Sequence, residues 1–295
     1  AFLINGCGKG VGWNPPANNS APGVQATYKY FLFVPNDSSD NLSVYEINES
    51  TGALTAAPGS PFTTGDRPFH TVATPNGKFA YVANYNASTI SAFSVNQTTG
   101  ALTEVTGSPF ASANQPTFGQ VTPDGRYLYF VAQGSNAVSG FSIDQTTGVL
   151  TAAPASPYAT GGTSPYSLTI DTTGQFLFAT NNASNNLTRF LITPSTGALV
   201  SLGTTAAGTT PNDLFATSAG YLYVAATGDS QIRAFSVNTS SGALTAVSGS
   251  PFTAALSYPI VVSLAGRYIY QINSTNIYGF AVNSTNGSIS AISGS

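Results

Sequence analysis

The chain has 295 residues, of which 42% are hydrophobic and only 6% are Asp, Glu, Lys or Arg. This length suits a single all-β domain with a large core. Eight basic and 11 acidic residues give a net charge of −3 without any run of Lys or Arg, which excludes nucleic-acid binding and a polybasic membrane surface. No apolar stretch approaches the roughly 20 residues that a transmembrane helix needs.

The first 21 residues match nothing later in the chain, so we predict an N-terminal tail or adaptor over 1–21 and a repeated domain over 22–295. Met is absent even at position 1, which suggests processing and favours an exported protein at the cell surface or outside the cell. The segment that ends at Cys7 resembles a bacterial lipobox. Lipid anchoring there is the less favoured reading, because residues 1–6 would then have been removed.

The same unit occurs six times, with a step of 45–49 residues between its landmarks. The first landmark is an aromatic residue that opens an apolar alternating run, at Tyr30, Phe79, Tyr127, Phe176, Tyr221 and Tyr268. The second is a turn glycine, at Gly52, Gly100, Gly148, Gly197, Gly242 and Gly287. A fixed period of this length is typical of repeat architectures.

Each unit begins with a strand after a proline, continues through an aromatic strand and a Phe-x-Val strand, and ends with a short strand near Ala-Leu-Thr. Alternating apolar residues indicate strands, and Gly and Pro fall mainly between the runs. We therefore predict an all-β fold, a β-propeller of four-stranded antiparallel blades. Six repeats are counted, and a seventh position in the ring is open to the tail or to a neighbouring molecule.

Three motifs, Tyr-Val-Ala-Asn (81–84), Ser-Ala-Phe-Ser-Val (91–95) and Pro-Asp-Gly-Arg-Tyr-Leu-Tyr (123–129), resemble those of the lactonase-like propellers. That family includes bacterial 6-phosphogluconolactonases, fungal carboxymuconate-lactonizing enzymes and exported surface propellers. The resemblance covers about residues 24–295 and implies seven blades in the enzymes, with the catalytic groups at the mouth of the central channel. Its motifs are strand and turn residues, so they indicate the fold more than the activity.

The candidate catalytic residues are His70, Arg67 and Asp66. His70 is the only histidine, and Pro68-Phe69-His70 resembles the family's Pro-x-His stretch on an innermost strand. In a lactonase, His70 would be the acid or base and Arg67 would anchor a carboxylate. The later units carry no base or second arginine at the matching places, so a structural role for His70 is the favoured alternative.

Candidate ligand-binding residues are Phe69, Phe118, Tyr166 and Asp213, because aromatic faces near the channel would stack on sugars. No metal site is predicted, since one His, one Cys and scattered carboxylates give no ligand spacing. No cofactor is predicted either.

Twelve Asn-X-Ser/Thr sequences occur, and they are read either as turns or as glycosylation sites of an exported glycoprotein. The glycosylation candidates are Asn41, Asn48, Asn86, Asn96, Asn182, Asn186, Asn238, Asn273 and Asn283.

The missing site residues and the low charge favour a non-catalytic extracellular or cell-surface propeller with a structural, adhesion or self-assembly role. Its partners would be copies of itself or surface glycans. Assembly would use strand addition to an open edge by an N-terminal segment, with a thiol available nearby; the residues are Ala1, Phe2, Leu3, Ile4 and Cys7. Two alternatives stay open: a lactonase-type enzyme acting on sugar lactones or muconolactones at the channel, and a propeller that binds carbohydrates or other small ligands.

Overall fold

A computed structural model describes residues 2–5, 29–254, 260–262, 266–272 and 276–292. Ala1, Cys7 and Asn273 lie outside the described residues. Within the described part of the chain, no helix has the length and hydropathy required to cross a bilayer.

The described residues fold into six β-sheets in sequence order. The first comprises β1 (Phe2–Asn5), β2 (Tyr30–Asn36), β3 (Asn41–Ile47), β4 (Leu54–Ala56) and β5 (Phe62–Thr63). The second comprises β6 (Pro68–Ala73), β7 (Phe79–Asn84), β8 (Thr89–Val95), β9 (Leu102–Glu104) and β10 (Phe110–Ala111). The third comprises β11 (Pro116–Val121), β12 (Tyr127–Ala132), β13 (Ala137–Ile143), β14 (Leu150–Ala152) and β15 (Tyr158–Ala159).

The fourth sheet comprises β16 (Pro165–Ile170), β17 (Phe176–Asn181), β18 (Asn186–Ile192) and β19 (Leu199–Ala206). The fifth comprises β20 (Pro211–Ala216), β21 (Tyr221–Ala226), β22 (Gln231–Val237), β23 (Leu244–Ala246) and β24 (Phe252–Thr253). The sixth comprises β25 (Ile260–Val262), β26 (Tyr268–Ile272), β27 (Ile277–Val282) and β28 (Ile289–Ala291). Within each sheet the four main strands pair in sequence order, all antiparallel except β1 with β2, and the short strands β5, β10, β15 and β24 each pair with the third strand of their own sheet. Each sheet is therefore one blade, and the predicted β-propeller is confirmed.

The N-terminal segment differs from the predicted tail. Phe2–Asn5 pairs in parallel with β2 of its own chain, Phe2 lying opposite Tyr30. It therefore occupies the position that an innermost strand takes in the other blades. Without it, the N–H and C=O groups along that edge of β2 would be open to association. In this structure the segment pairs within its own chain, and assembly through it stays a prediction.

The predicted aromatic landmark of the first repeat, Tyr30, is one residue too early in the chain. Phe31 lies opposite Glu46, just as Phe79 lies opposite Ser94 in the second blade. Phe31, and not Tyr30, is therefore the structural equivalent of Phe79. A shift of one residue moves a side chain to the other face of a strand. Both positions are aromatic in this blade, which explains why the sequence pattern did not separate them.

Apolar residues between successive blades form the core. Five clusters of buried side chains join the first blade to the second and so on to the sixth. The second strands β7, β12 and β17 lie between two neighbouring blades, and all six of their residues are buried. Burial on both faces explains why these strands read as continuous apolar runs.

A repeated contact connects each blade to the next. The first aromatic ring of the second strand packs on the turn glycine of the following blade, as Phe176 does on Gly242. Two residues further on, a tyrosine hydroxyl donates a hydrogen bond to a turn glycine carbonyl. These bonds run from Tyr81 to Gly148 (2.9 Å), from Tyr129 to Gly197 (2.7 Å) and from Tyr223 to Gly287 (2.9 Å).

The fourth blade satisfies the same carbonyl in another way. It has Phe178 where those tyrosines lie, and Arg189 is directly opposite on β18. Arg189 Nη1 donates to the Gly242 carbonyl at 3.4 Å, and its Nη2 donates to the Leu202 carbonyl at 2.6 Å. Where the phenol is missing, a guanidinium thus provides the donor.

The first and sixth blades each leave one face uncovered. On β2, Phe31 and Phe33 are buried while Leu32 between them is only half-buried. On β26, Tyr268 and Tyr270 are 41% and 40% exposed while Ile269 is fully buried. Within the described residues no apolar cluster joins these two blades. The alternation of buried and exposed side chains on β2 and β26 therefore shows that each strand has one packed face and one open face.

The buried phenols predict a loss of stability at alkaline pH. Burial raises the pKa of Tyr81, Tyr129 and Tyr223 above the usual 10.0. The folded state therefore keeps protons that the unfolded chain loses above about pH 10, so this contribution is complete below that pH and declines above it. Three such groups give a slope of up to about 4 kcal/mol per pH unit.

Thermal unfolding followed at rising pH measures that slope. Tyr129→Phe is the matched variant, because Phe178 already occupies the equivalent place in the fourth blade. Its melting temperature should fall less steeply above pH 10 than that of the wild type. Equal slopes would show that the buried phenol does not contribute.

Candidate active site

The innermost strands β6, β11, β16 and β20 all start at the same end of the channel, each with a proline. The residue before each proline has a positive φ although it is not glycine: 58° at Arg67, 58° at Gln115, 52° at Ser164 and 54° at Thr210. We call this end of the channel the mouth. Because the conformation recurs in four blades, it belongs to the fold and is not strain confined to one site.

The preceding blade holds each of these residues by its backbone N–H. The Arg67 N–H donates to Asp40 Oδ1 at 2.8 Å. The equivalent N–H groups of the next three blades bond in the same way: Gln115 to Ser88 Oγ at 3.3 Å, Ser164 to Asn136 Oδ1 at 2.8 Å and Thr210 to Asn185 Oδ1 at 2.9 Å. The mouth is therefore a regular set of loops, and in the second blade the residue with the positive φ is an arginine.

Arg67 is an exposed cation on this inner rim. Its Nε lies 3.4 Å from Asp37 Oδ2, and 44% of its side chain is exposed. Its guanidinium lies 4.8 Å from the centre of the Tyr85 ring, within the range of a cation–π contact. The neighbouring Asp66 is exposed and accepts a hydrogen bond from Asn86 Nδ2 at 3.3 Å.

The predicted ligand-binding aromatics come together. The ring centres of Phe69 and Phe118 are 5.5 Å apart, those of Phe118 and Tyr166 5.4 Å, and those of Phe69 and Tyr166 6.2 Å. Tyr85 lies 5.9 Å from Phe69 and connects the cluster to Arg67. The innermost strands of three successive blades each supply one ring, so this aromatic cluster lies on the channel side of the second to fourth blades.

Amide and hydroxyl groups continue the mouth around the later blades. The Tyr85 hydroxyl donates to Gln133 Oε1 at 2.9 Å, and Gln133 Nε2 donates to Ser164 Oγ at 3.2 Å. Further round, Asn182 donates to Asn212, and Asn212 Nδ2 donates to Thr227 Oγ1 at 2.9 Å. This polar rim is uncharged and offers both donors and acceptors.

His70 does not join this surface. It is 2% exposed, and its Nδ1 accepts a hydrogen bond from the Gly119 N–H of the next blade at 3.4 Å. Its ring centre lies 4.9 Å from that of Phe118. In this conformation it is part of the wall between the second and third blades.

Asp213 is also placed in the wall. It is 3% exposed and accepts hydrogen bonds from Ser167 Oγ at 3.1 Å and from the Leu214 N–H at 2.9 Å. Like His70, it connects the innermost strands of two blades. The predicted ligand site therefore divides into an aromatic cluster, in which Phe69 and Tyr166 are half-buried and Phe118 is buried, and one carboxyl group in the wall.

Replacement of His70 separates a structural role from a catalytic one. We expect His70→Ala to lower the free energy of unfolding by about 2 kcal/mol, because the Gly119 N–H loses its acceptor. His70→Asn, which can retain an acceptor, should recover part of that loss. Loss of general acid or base catalysis would instead reduce kcat by a factor of at least about 100 in both variants without a matching change in melting temperature.

Sequence reasoning did not assign Asp37, Asp40, Tyr85 or Gln133 to the site. Arg67 binds Asp37 and Asp40 from thirty and twenty-seven residues away. The repeat itself carries the available signal, because Asp40 aligns with Ser88, Asn136 and Asn185, and all four cap the next blade. Among the described residues, no three His, Cys, Asp or Glu side chains are grouped closely enough to hold a metal ion.

A surface cleft of about 520 Å³ lies at the opposite end, between the fifth and sixth blades. Turn residues and strand ends line it, including Thr217, Ser218, Arg267 and Tyr268. The described lining contains no carboxylate or histidine that could act as a base. We therefore place the candidate site at the mouth.

The sequons of the repeated turn are structural. Asn48 Oδ1 accepts hydrogen bonds from the Ser50 and Thr51 N–H groups, and Asn96 and Asn238 make the same pair of bonds in their own turns. Asp144 makes this pair in the third blade, so the turn needs only the oxygen. The predicted glycosylation stays a prediction.

The family model described as "Lactonase, 7-bladed beta-propeller" matches residues 24–216. The chain belongs to this family. The predicted resemblance to lactonase-like propellers is thereby confirmed. No curated protein matches the chain.

Solved structures share the lactonase-family fold. A Bacteroides uniformis protein with a provisional 6-phosphogluconolactonase assignment is 21% identical, with 89% of this chain and 80% of that chain covered and a TM-score of 0.75. A Bacteroides fragilis protein with the same provisional assignment is 22% identical, with 89% and 79% covered and a TM-score of 0.70. The periplasmic gluconolactonase of Pseudomonas aeruginosa is 17% identical, with 90% and 95% covered and a TM-score of 0.52.

The prediction of a non-catalytic structural propeller is wrong. The lactonase-family match favours the enzyme alternative instead. The prediction relied on missing histidines and arginines on the innermost strands. It did not consider that loop carboxylates of the first blade reach Arg67.

Proposed function

We propose that the chain is a lactone hydrolase whose site is the mouth of the channel. The observation that carries the proposal is the Arg67 guanidinium, which lies at the rim over Tyr85 and next to the aromatic cluster in a member of the lactonase family. A positively charged donor beside an apolar surface suits an ester whose carbonyl must be polarised.

Hydrolysis of a lactone needs three things from these groups. Arg67 donates hydrogen bonds to the carbonyl oxygen, on which negative charge develops when water attacks the carbonyl carbon. A rim carboxylate, for which we assign Asp66, takes the proton from that water. The ring C–O bond then breaks, Asp66 returns its proton to the departing ring oxygen, and the product is a hydroxy acid.

The rest of the mouth fits the substrate's body. Phe69, Phe118 and Tyr166 offer ring faces to C–H groups, and the polar rim offers donors and acceptors to hydroxyl groups. His70 and Asp213 fix the innermost strands behind these groups. The side chains at the mouth therefore bind the substrate and carry out the chemistry, while the buried side chains of the wall hold the innermost strands in place.

Turnover of lactones tests the proposal. Purified protein is mixed with gluconolactone or muconolactone, and the acid released above the spontaneous rate is titrated at constant pH. Enzyme-dependent acid release from at least one of them is expected. Binding of a lactone or sugar without any acid release would favour a binding propeller and contradict the hydrolase.

A further inference from the structure

Among the described residues, cations are concentrated away from the mouth. Lys78, Arg126 and Arg267 each precede the second strand of a blade, and Lys29 precedes β2. Because second strands run towards the mouth, these four residues lie at the opposite end.

The two other described arginines lie on third strands, two strands outward from the innermost strand of their blade. Arg189 lies in the middle of β18 and donates to two backbone carbonyls. Arg233 lies on the third strand of the fifth blade and pairs with Asp229 at 3.2 Å. Asp229, the partner of Arg233, is at the mouth end, where it accepts a hydrogen bond from the Thr209 N–H at 2.7 Å. Arg67 is thus the one cation on the inner rim in the described part of the chain.

The surroundings of Arg67 are acidic. Asp37 pairs with its side chain, Asp40 binds its backbone N–H, and Asp66 is the adjacent residue. All three carboxylates are exposed. Three negative charges around one positive charge leave a net negative charge, which repels an anionic substrate. Phosphate recognition, in contrast, normally uses several Arg or Lys donors without competing carboxylates.

We infer that the mouth selects uncharged polyhydroxy lactones and rejects both phosphorylated sugar lactones and lactones that carry a carboxylate. This inference rests on the proposed function and narrows its substrate class. The polar rim supplies neutral partners for hydroxyl groups from Gln133, Ser164, Asn212 and Thr227. The aromatic cluster supplies ring faces for the sugar.

The primary experiment compares kcat/KM for gluconolactone, 6-phosphogluconolactone and muconolactone at low salt. We expect the uncharged lactone to exceed the dianionic 6-phosphogluconolactone by a factor of about 10 or more and the monoanionic muconolactone by about fourfold, the effect of a net charge of about −2 acting at about 10 Å in water. Raising the ionic strength to about 0.15 M shortens the screening length to about 8 Å and should narrow the ratio.

A charge variant tests the cause. Asp40→Asn keeps an acceptor for the Arg67 N–H, because Asn136 and Asn185 accept the equivalent bonds from Ser164 and Thr210. Removing one charge at about 10 Å should shift the ratio about fourfold towards the phosphorylated lactone, because that substrate is a dianion.

Asp144→Asn is the matched control. It makes the same change of charge at the opposite end, in a turn where Asn48, Asn96 and Asn238 make the equivalent bonds. Hydrogen bonds from the Thr147 and Thr146 N–H groups hold the pKa of Asp144 below its usual value, so the control removes a real charge near neutral pH. Its substrate ratio should match that of the wild type.

The outcomes separate the two proposals. Acid release from none of the three lactones would overturn the proposed function. Release from all three, with equal or higher kcat/KM for an anionic lactone, would leave the hydrolase intact and overturn the selectivity. A preference for the uncharged lactone that Asp40→Asn and Asp144→Asn leave equally unchanged would also overturn it.

Discussion

Gly242→Ala is expected to lower the free energy of unfolding by about 4 kcal/mol, through a left-handed backbone strain of about 1–2 kcal/mol and an overpacking cost of about 1–3 kcal/mol. Gly242 has φ +64°, and an added Cβ would lie 2.6 Å from Phe176 Cδ1. Phe176 is 2% exposed and has no room to move. Thermal unfolding should show a fall in melting temperature of about 8–15 °C, taking about 2–4 °C per kcal/mol.

Gly52→Ala is the matched control, because Gly52 is the equivalent glycine in the first blade. Its φ is +71°, but nothing lies within 4 Å of an added Cβ. Only the backbone cost of about 1–2 kcal/mol should therefore remain. If both variants lost the same stability, the contact between aromatic ring and glycine would contribute nothing to the interface between blades.

Arg67→Gln is expected to lower kcat/KM for a lactone substrate by a factor of about 100, the effect of removing one strong donor from a developing oxyanion. Glutamine is the natural residue at the equivalent place of the third blade, where Gln115 also has φ 58°. The variant should therefore fold with little change in melting temperature. Steady-state kinetics on gluconolactone measures the change.

Arg126→Gln is the control for that experiment. Arg126 also pairs with a carboxylate, with its Nε 2.7 Å from Asp124 Oδ2, and its guanidinium lies 5.3 Å from the centre of the Tyr127 ring. It differs from Arg67 chiefly in lying at the opposite end. A similar loss of kcat/KM in both variants would mean that Arg67 has no special position in the reaction.

The blade architecture could be predicted from the sequence. The period, the turn glycines and the alternating strands all depend on local chemistry, and the same local pattern occurs in every repeat. The prediction failed where the repeats differ or where pairing is not local. The one-residue error at Phe31 arose because Tyr30 is also aromatic. The parallel pairing of Phe2–Asn5 with β2 had no repeat to predict it.

The candidate site was only partly predictable. Phe69, Phe118 and Tyr166 were identified because each lies at the start of an innermost strand, and such strands meet at the channel. The burial of His70 was not predictable, because it depends on the Gly119 N–H of the next blade. The carboxylates around Arg67 come from a loop of the preceding blade, and no spacing rule within one repeat reaches them.

Ring opening of gluconolactone, followed side by side for the wild type and Arg67→Gln by titrating the released acid at constant pH, tests the channel-mouth site most directly. We expect the wild type to accelerate ring opening well above the spontaneous rate and the variant to lose about 99% of that acceleration while keeping its melting temperature. Wild-type acid release that Arg67→Gln leaves intact would place the chemistry elsewhere in the molecule.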